Sequence, residues 1–432
     1  MVVFAGLACT GKGNDVQQEP ALADRTFEVS EQTEVGLEIE ASSPGASWAT
    51  KGAEAAALVI EVDGKYNQDL LLWAGDSPFI YRVMLGRLAS GKHTITARLN
   101  HSRSAPAVQK AIVRYLRPIV YAGSRDSTGD QLLALAHSPV LSQRANTIDR
   151  FSDVPLLMYY EVMHIDNREV QIRYTVIFTN EDGGTPTAAL MARWGRATDI
   201  EWAYQLRARD GQIIEETYQG VEHETKPFKG KRTNGNHPLL SVASDNNNFS
   251  DVGSSACRFA LLPVPANLRS SSRESIMDAY PWTYRIMAEE LTREGRINDK
   301  PADVNSISDP RNYLYVDLYA NQRGTALSVE VTSAAEPKTY SSDLGEAKLR
   351  IDRSGYFRTA VRLDSAAAVT SVSSLTIHCH QTQQAIEERA CQGFAVRLIR
   401  LDRNYKPRLL KAQELSAQTI KPGETMIVRI TH

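Results

Sequence analysis

The chain has 432 residues, of which 42% are hydrophobic and 23% charged, which is the composition of a folded protein large enough for more than one core. Its 49 basic and 51 acidic residues leave a formal net charge of −2. Because nucleic acids and anionic membrane surfaces attract proteins with a basic excess, this balance argues against either as the main partner.

Residues 1–25 predict the remnant of an export signal followed by a tether. An apolar run from Met1 to Ala8 ends at Cys9 and is followed by a polar stretch. This arrangement resembles the end of a bacterial lipoprotein signal, in which the cysteine carries lipid and the polar stretch spaces the folded part from the membrane. It departs from that pattern because no basic residue precedes the apolar run. We expect an extracytoplasmic protein, secreted or attached to the envelope through Cys9; a frayed N-terminus with an incidental cysteine is the alternative.

Residues 26–117 predict a β-sandwich. Short runs rich in β-branched residues alternate with turn signals such as Asp63-Gly64. The sequence Leu88-Ala-Ser-Gly-Lys-His93 resembles the L-x-x-G-x-H strand of jelly-roll carbohydrate-binding modules and fibronectin-like modules. The resemblance implies a sandwich fold for this segment.

Residues 118–311 predict a central β-rich domain with long polar loops at 225–237 and 245–253 and a short helix near residues 284–294. Loops of this length inside a compact domain are usually functional or mobile. Residues 312–432 alternate apolar and polar side chains and predict another sandwich. The chain is therefore predicted to be mostly β, with several β-sandwich domains in tandem and a few short helices in the central domain.

The cysteines favour an oxidising compartment. Cys379 and Cys391 are twelve residues apart, a separation that suits a disulfide-closed loop. Cys257 lies in an apolar strand and is expected to be a buried, inert thiol. The absence of any C-x-x-C pair makes a zinc ribbon or a thioredoxin-like redox site improbable.

A candidate site lies in the central segment, between His137 and Asp251. Asp199 and Glu201 stand two residues apart at the start of a strand, so both side chains face the same side of the sheet. After a hairpin at Asp210-Gly211, His223 ends the next strand. If the two strands are neighbours, Asp199, Glu201 and His223 converge and can act as acid and base or hold a divalent metal.

Two further histidines, His137 and His237, can join a divalent metal site if loops bring them in. The asparagine-rich loop 245–251 offers oxygen ligands of the kind that calcium takes, although such runs are also ordinary turn material. Pairing of the two carboxylates with Arg193, Arg196 or Arg207 in a structural network is the alternative to a catalytic or metal site.

The same region contains candidate substrate-binding residues, namely Arg193, Trp194, Trp202 and Tyr218. A flat aromatic ring can stack on a pyranose face, although aromatic residues at strand spacing often belong to a core. Together with the carboxylates, they predict a carbohydrate-related role toward a cell-envelope glycan, through polysaccharide hydrolysis or lysis if the site is catalytic. The alternatives are a non-catalytic cell-surface binding or structural protein and, third, a soluble intracellular enzyme.

The central segment also resembles the β-rich family named for yeast vacuolar protein sorting. In that family a Gly-Asp-Trp-Glu-His strand is followed by a hairpin and a Ser-x-His element, and Asp199, Glu201 and His223 match its acidic and histidine positions. Ile200 and Trp202 depart from it, standing where the family has Trp and His. The resemblance implies a β-sandwich more than an activity.

Overall fold

The computed structural model describes residues 19–122, 128–181, 183–301, 303–334, 338–382 and 390–430. Cys9, and with it the prediction of lipid attachment, lies outside the described residues. Within them, no helix combines the length and the apolar character needed to cross a bilayer. The prediction of a mostly β chain with sandwiches in tandem is confirmed.

The N-terminal sandwich is built from short strands whose alternate side chains enter one core. Its strands are β1 (Ala21–Val29), β2 (Thr33–Ser42), β3 (Ala57–Val62), β4 (Lys65–Leu71), β5 (Phe79–Leu88), β6 (Gly91–Leu99) and β7 (Ile112–Val120). They form two sheets with the orders β1-β6-β3-β4 and β5-β2-β7. Val35, Leu37 and Ile39 alternate along β2 and are fully buried. β7 runs through the expected boundary at 117/118, so its last residues still pair with β2.

The central domain carries the longest sheet and most of the helices. Its strands are β8 (Val140–Ser142), β9 (Pro155–His164), β10 (Glu169–Phe178), β11 (Ile200–Arg209), β12 (Gln212–Gln219), β13 (Thr225–Pro227), β14 (Arg232–Thr233), β15 (His237–Val242), β16 (Phe249–Ser250), β17 (Arg258–Phe259) and β18 (Val264–Ala266). Its helices are α1 (Gly129–Ala136), α2 (Asn146–Asp149), α3 (Thr187–Trp194), α4 (Ser275–Ala279) and α5 (Trp282–Arg293). One sheet has the order β13-β12-β11-β10-β9-β18, and the other has the order β14-β15-β8-β17 with β16 paired to β15.

The C-terminal sandwich is closed by a disulfide. Its elements are β19 (Tyr313–Arg323), β20 (Thr325–Ser333), β21 (Thr339–Ser341), β22 (Gly355–Arg362), α6 (Ala366–Thr370), β23 (Val372–Gln381), β24 (Ala390–Leu401), β25 (Pro407–Ile420) and β26 (Thr425–Arg429). The sheets have the orders β22-β19-β24-β25 and β21-β20-β23-β26. Cys379 on β23 is bonded to Cys391 on β24, as predicted, so the bridge joins the two sheets across the core. Cys257 is a buried free thiol, also as predicted.

The N-terminal sandwich is hydrogen-bonded directly to the central domain. The Met84 amide donates to the Ala260 carbonyl over 2.7 Å, and the Arg87 amide donates to the Asn234 carbonyl over 2.8 Å. Gly86 lies between them with a φ of 98°, and a Cβ there would stand 2.4 Å from the Asn234 carbonyl oxygen. Only glycine fits this close approach. The N-terminal and central segments are therefore packed against each other and joined by direct backbone hydrogen bonds.

A buried carboxyl group also ties these two modules together. The Trp48 indole N–H donates to Oε2 of Glu290 on α5 over 2.9 Å, and Glu290 is fully buried. Burial, only partly offset by Arg293, raises the pKa of Glu290 from its ordinary value of 4.5 to about 8. The folded protein therefore holds a proton at Glu290 that the unfolded chain releases above about pH 4.5.

Stability is accordingly expected to fall as the pH rises from about 5 to about 8, and Glu290→Gln should remove this component. Each pKa unit corresponds to about 1.4 kcal/mol, so the component is of the order of several kcal/mol. Denaturant unfolding of both proteins across that pH range measures it. Glu346→Gln is the control, because the Glu346 side chain is 47% exposed. Parallel pH dependence in wild type and Glu290→Gln would contradict the assignment.

Candidate functional site

The β11–β12 hairpin brings the predicted trio together. Asp210 and Gly211 form its two-residue turn, with φ values of 50° and 76°, as the Asp-Gly pair predicts. Because the strands are antiparallel, the end of β12 returns to the start of β11. There, Nδ1 of His223 lies 3.5 Å from Oε2 of Glu201. The charges of Asp199 and Glu201 act on each other as well.

The asparagine-rich loop closes the site from the opposite side. Asn247 donates to Oδ2 of Asp199 over 3.0 Å, while the amides of Asn246 and Asn248 lie 3.1 and 3.4 Å from the two ring nitrogens of His223. Gln219, at the end of β12, stands 2.6 Å from the Nδ1 atom. Loop 245–251, for which the sequence left a turn and a calcium site open, forms a turn whose asparagine side chains contact Asp199 and His223.

An acidic glycine-rich turn supplies a further carboxyl group, Glu181. It accepts a hydrogen bond from the Thr185 amide over 2.8 Å, and its charge acts on both Asp199 and His223. A Cβ on Gly184 would stand 3.1 Å from Oε1 of Glu181 and 3.2 Å from Oδ1 of Asn246, and its φ is 94°. Glycine thus lets the turn pack on the asparagine loop.

The backbone of the site is strained in a way that its contacts maintain. Glu222 and His223 are consecutive left-handed residues with φ values of 63° and 61°, and Asn247 has a φ of 47°. Such conformations cost roughly 1–3 kcal/mol each and persist only where the surroundings impose them. The buried Oε1 of Gln219 and Oδ1 of Asn247 have no partner among the described residues. The site is thus held rigid with acceptor atoms unused.

The three side chains differ sharply in exposure. Asp199 is 1% exposed, the Glu201 side chain 10% and the His223 side chain 52%. Burial, followed by the charges of Glu201 and Glu181, raises the pKa of Asp199 well above its ordinary value. Asp199 therefore favours its neutral form and is more deeply buried than His223, the exposed member of the trio.

Glu201 and His223 shift each other's pKa values in opposite directions. Burial alone would raise the pKa of Glu201, but the contact with His223 and the charge of Arg273 outweigh it and hold that pKa below its ordinary value. The contact with Glu201 in turn raises the pKa of His223 despite partial burial. Each of the two groups therefore favours the charged form of the other.

A buried ionic network lies beneath the pair, and sequence reasoning missed most of it. Arg196 and Glu274 are both 2% exposed and 3.4 Å apart, and Arg273 donates to the Ile200 carbonyl over 2.7 Å. Arg196, one of the arginines predicted as a partner for the carboxylates, interacts electrostatically with both Asp199 and Glu201. Nothing in the residues around Arg273 and Glu274 signalled the role of that segment.

The other predicted site residues lie apart from the trio. His237 is 1% exposed and uses both ring nitrogens, one 2.7 Å from the Ser138 carbonyl and the other 3.0 Å from Glu34. His137 is 9% exposed, and burial lowers its pKa to about 4. Within the described part of the chain, no three potential ligands among His, Cys, Asp and Glu cluster as a metal ion needs.

The candidate substrate-binding residues mostly contact protein groups. Arg193 bridges to Asp352 over 3.1 Å, and its guanidinium and that of Arg353 lie 4.8 and 5.2 Å from the centre of a Trp194 ring. The Arg173 guanidinium lies 5.4 Å from the Trp202 ring. Tyr218 is 7% exposed, and its hydroxyl donates to Asp251 over 3.2 Å.

Comparison with known proteins adds no assignment: neither a protein-family model nor a curated protein sequence matches this chain. The function is therefore argued from the site itself.

Proposed function

We propose that the central domain carries an acid/base centre that cleaves a polysaccharide of the cell envelope by hydrolysis or lysis. The observation that carries this proposal is the Glu201–His223 contact at 3.5 Å, half exposed on one side and held on the other by strained backbone and an asparagine loop. Glu201 is the general base, and protonated His223 is the general acid. Asp199 is a positioning residue that acts through Asn247.

Both reaction classes need a general base and a general acid at the same glycosidic bond. Hydrolysis of a glycosidic bond needs a base that activates water and an acid that protonates the leaving oxygen. Lysis needs a base that removes a proton next to the carboxyl group of a uronate and an acid at the same leaving oxygen. A pair whose pKa values are displaced in opposite directions supplies base and acid at the same pH.

The test is incubation of the purified protein with peptidoglycan, chitin oligosaccharides, xylan, polygalacturonate and alginate. Hydrolysis is read from new reducing ends, and lysis from the ultraviolet absorbance of the unsaturated product. Turnover of one of these substrates, lost in Glu201→Gln, supports the proposal. No turnover of any of them by the wild-type protein would overturn it.

A non-catalytic binding or structural role is the second candidate, and the buried Arg196–Glu274 pair favours it. In that case Glu201 and Asp199 complete the charge balance of a domain junction. Substitution of Glu201 would then lower the stability without changing any reaction.

We also propose an extracytoplasmic location, supported by the Cys379–Cys391 disulfide, because such bridges persist in oxidising compartments. Protein purified from its native host is expected to carry lipid on Cys9 and to show one free thiol, Cys257, after denaturation. Mass spectrometry with thiol labelling measures both. A native chain with an unmodified Cys9 and all four cysteines free would contradict lipid attachment and the oxidising compartment together.

A further inference from the structure

A polar groove separate from the acid/base centre lies where the outer face of the C-terminal sandwich meets the central domain. Its volume is about 340 Å³, and its walls come from the serine segment 270–272 and from strands β19, β22, β24 and β25. The trio does not line it. Grooves of this size, with an aromatic wall and a few polar groups, are typical of small-ligand sites.

An exposed aromatic pair forms one side of this region. Tyr356 lines the groove, and Tyr319 stands directly opposite it on the paired strand, with ring centroids 4.7 Å apart. The two residues are 38% and 37% exposed. Tyrosine offers an apolar ring face together with a hydroxyl, which is the combination that a sugar, with its C–H face and hydroxyl rim, can use.

The opposite walls offer hydrogen-bonding groups, and one of them is unsatisfied. The Arg397 side chain is 42% exposed and lies 3.5 Å from Asp317, which is itself 7% exposed and held by Arg358. Ser272 is 2% exposed, and its Oγ has no partner among the described residues. A buried hydroxyl without a partner is unfavourable, so this one is suited to a bound polar molecule.

We propose that this groove binds a pyranose unit of a glycan chain, with Tyr356 stacked on the sugar ring and Arg397, Gln413 and Ser272 bonded to its hydroxyl groups. The choice of a glycan rests on the function proposed above, whereas the groove itself does not require turnover at Glu201. The serine segment leads directly into Arg273, which donates to the Ile200 carbonyl between Asp199 and Glu201. The groove thus anchors a chain on the segment that adjoins the acid/base centre.

The experiment is affinity electrophoresis of Glu201→Gln protein through gels that contain xylan, hydroxyethylcellulose, polygalacturonate or solubilised peptidoglycan. The Glu201 substitution is expected to slow turnover strongly, and Glu201 does not line the groove. We expect retardation by at least one of these polymers, with binding weakened about tenfold by Tyr356→Ala and by Arg397→Ala, equivalent to about 1.4 kcal/mol each. Tyr356→Phe keeps the ring and should bind nearly as well as its parent.

Ser272→Ala guards against misfolding, because it removes only an unpartnered hydroxyl. It is expected to weaken binding without lowering the unfolding temperature. Leu409→Ala, on β25 and 57% exposed outside the groove, is the matched control and should bind normally.

The proposal is overturned if no polymer retards the protein, or if retardation is unchanged in the Tyr356, Arg397 and Ser272 variants. Binding that depends on the groove, together with a wild-type protein that turns over none of the substrates, would leave the groove standing and remove only the catalytic proposal. Turnover that depends on Glu201, without binding that depends on the groove, would support the catalytic proposal and overturn the groove proposal.

Discussion

Glu201→Gln is expected to reduce glycan turnover by about 10²–10⁴-fold, the usual contribution of a positioned general base. Glutamine keeps the size of the side chain but cannot accept a proton. It also removes the charge that raises the pKa of His223, so the acid is weakened together with the base. Initial rates on the substrate that the wild-type protein cleaves, measured across pH, give the size of the effect.

Asp199→Asn is the matched control, since it makes the same carboxyl-to-amide change two residues away. The pKa of Asp199 is raised well above its ordinary value, so its neutral form is favoured and the amide should retain most of the activity. Equal losses in the two variants would contradict the separate roles given to Glu201 and Asp199.

The pH profile supplies a readout that a purely structural role would not move. Activity should rise as Glu201 ionises and fall as His223 loses its proton. In His223→Gln the cation that lowers the pKa of Glu201 is absent, so the rising limb of the residual activity should shift to higher pH. A rising limb at an unchanged pH would show that Glu201 does not control it.

Arg358→Met is expected to destabilise the protein by about 3–5 kcal/mol, the usual result of removing one partner from a buried ionic group. Arg358 is 0% exposed and donates to Asp317 on its own sheet and to Asp278 on α4 of the central domain, with distances between 2.6 and 2.9 Å. Methionine fills the space but removes the guanidinium that both carboxylates accept from, leaving Asp317 only the more distant Arg397 at 3.5 Å among its described ion-pair partners. Chemical denaturation near neutral pH measures the loss.

The loss of stability in Arg358→Met should become smaller as the pH is lowered, because a protonated Asp317 carries no charge for the guanidinium to neutralise. Arg168→Ala provides the contrast, since the side chains of its ion pair with Asp210 are 71% and 50% exposed and solvent screening should make its contribution small. A similar small effect at both arginines would show that the Arg358 network does not hold the two domains together.

Local patterns predicted much of this protein because they act through local physics. The Asp210-Gly211 turn follows from two residues that tolerate positive φ, and it sets the register of β11 and β12. The i, i+2 spacing of Asp199 and Glu201 predicted a shared face, and the hairpin brings His223 to within 3.5 Å of Glu201. The Cys379–Cys391 bridge followed from a twelve-residue separation that suits a disulfide-closed loop.

Long-range partners did not follow from such patterns, because packing between modules chooses them. The sequence predicts His237 as a metal ligand, whereas in the structure Glu34 on β2 of the N-terminal sandwich lies against its ring. Trp194 was a candidate sugar platform, and the C-terminal domain laid Arg353 over it. Gly195 has a φ of 63° at the end of α3, and a Cβ there would stand 2.6 Å from the Arg358 side chain, a contact that only the assembled domains create.

The amino-acid sequence by itself determined the β class, the hairpin that unites Asp199, Glu201 and His223, and the disulfide, since each depends on neighbours in the chain or on a short loop. Only the tertiary structure decided that the pKa of Asp199 is raised while the pKa of Glu201 is lowered. That division depends on desolvation and on charges from Glu181, Arg196 and Arg273, which are separated along the chain and meet only when the sheet, the loops and α4 pack together.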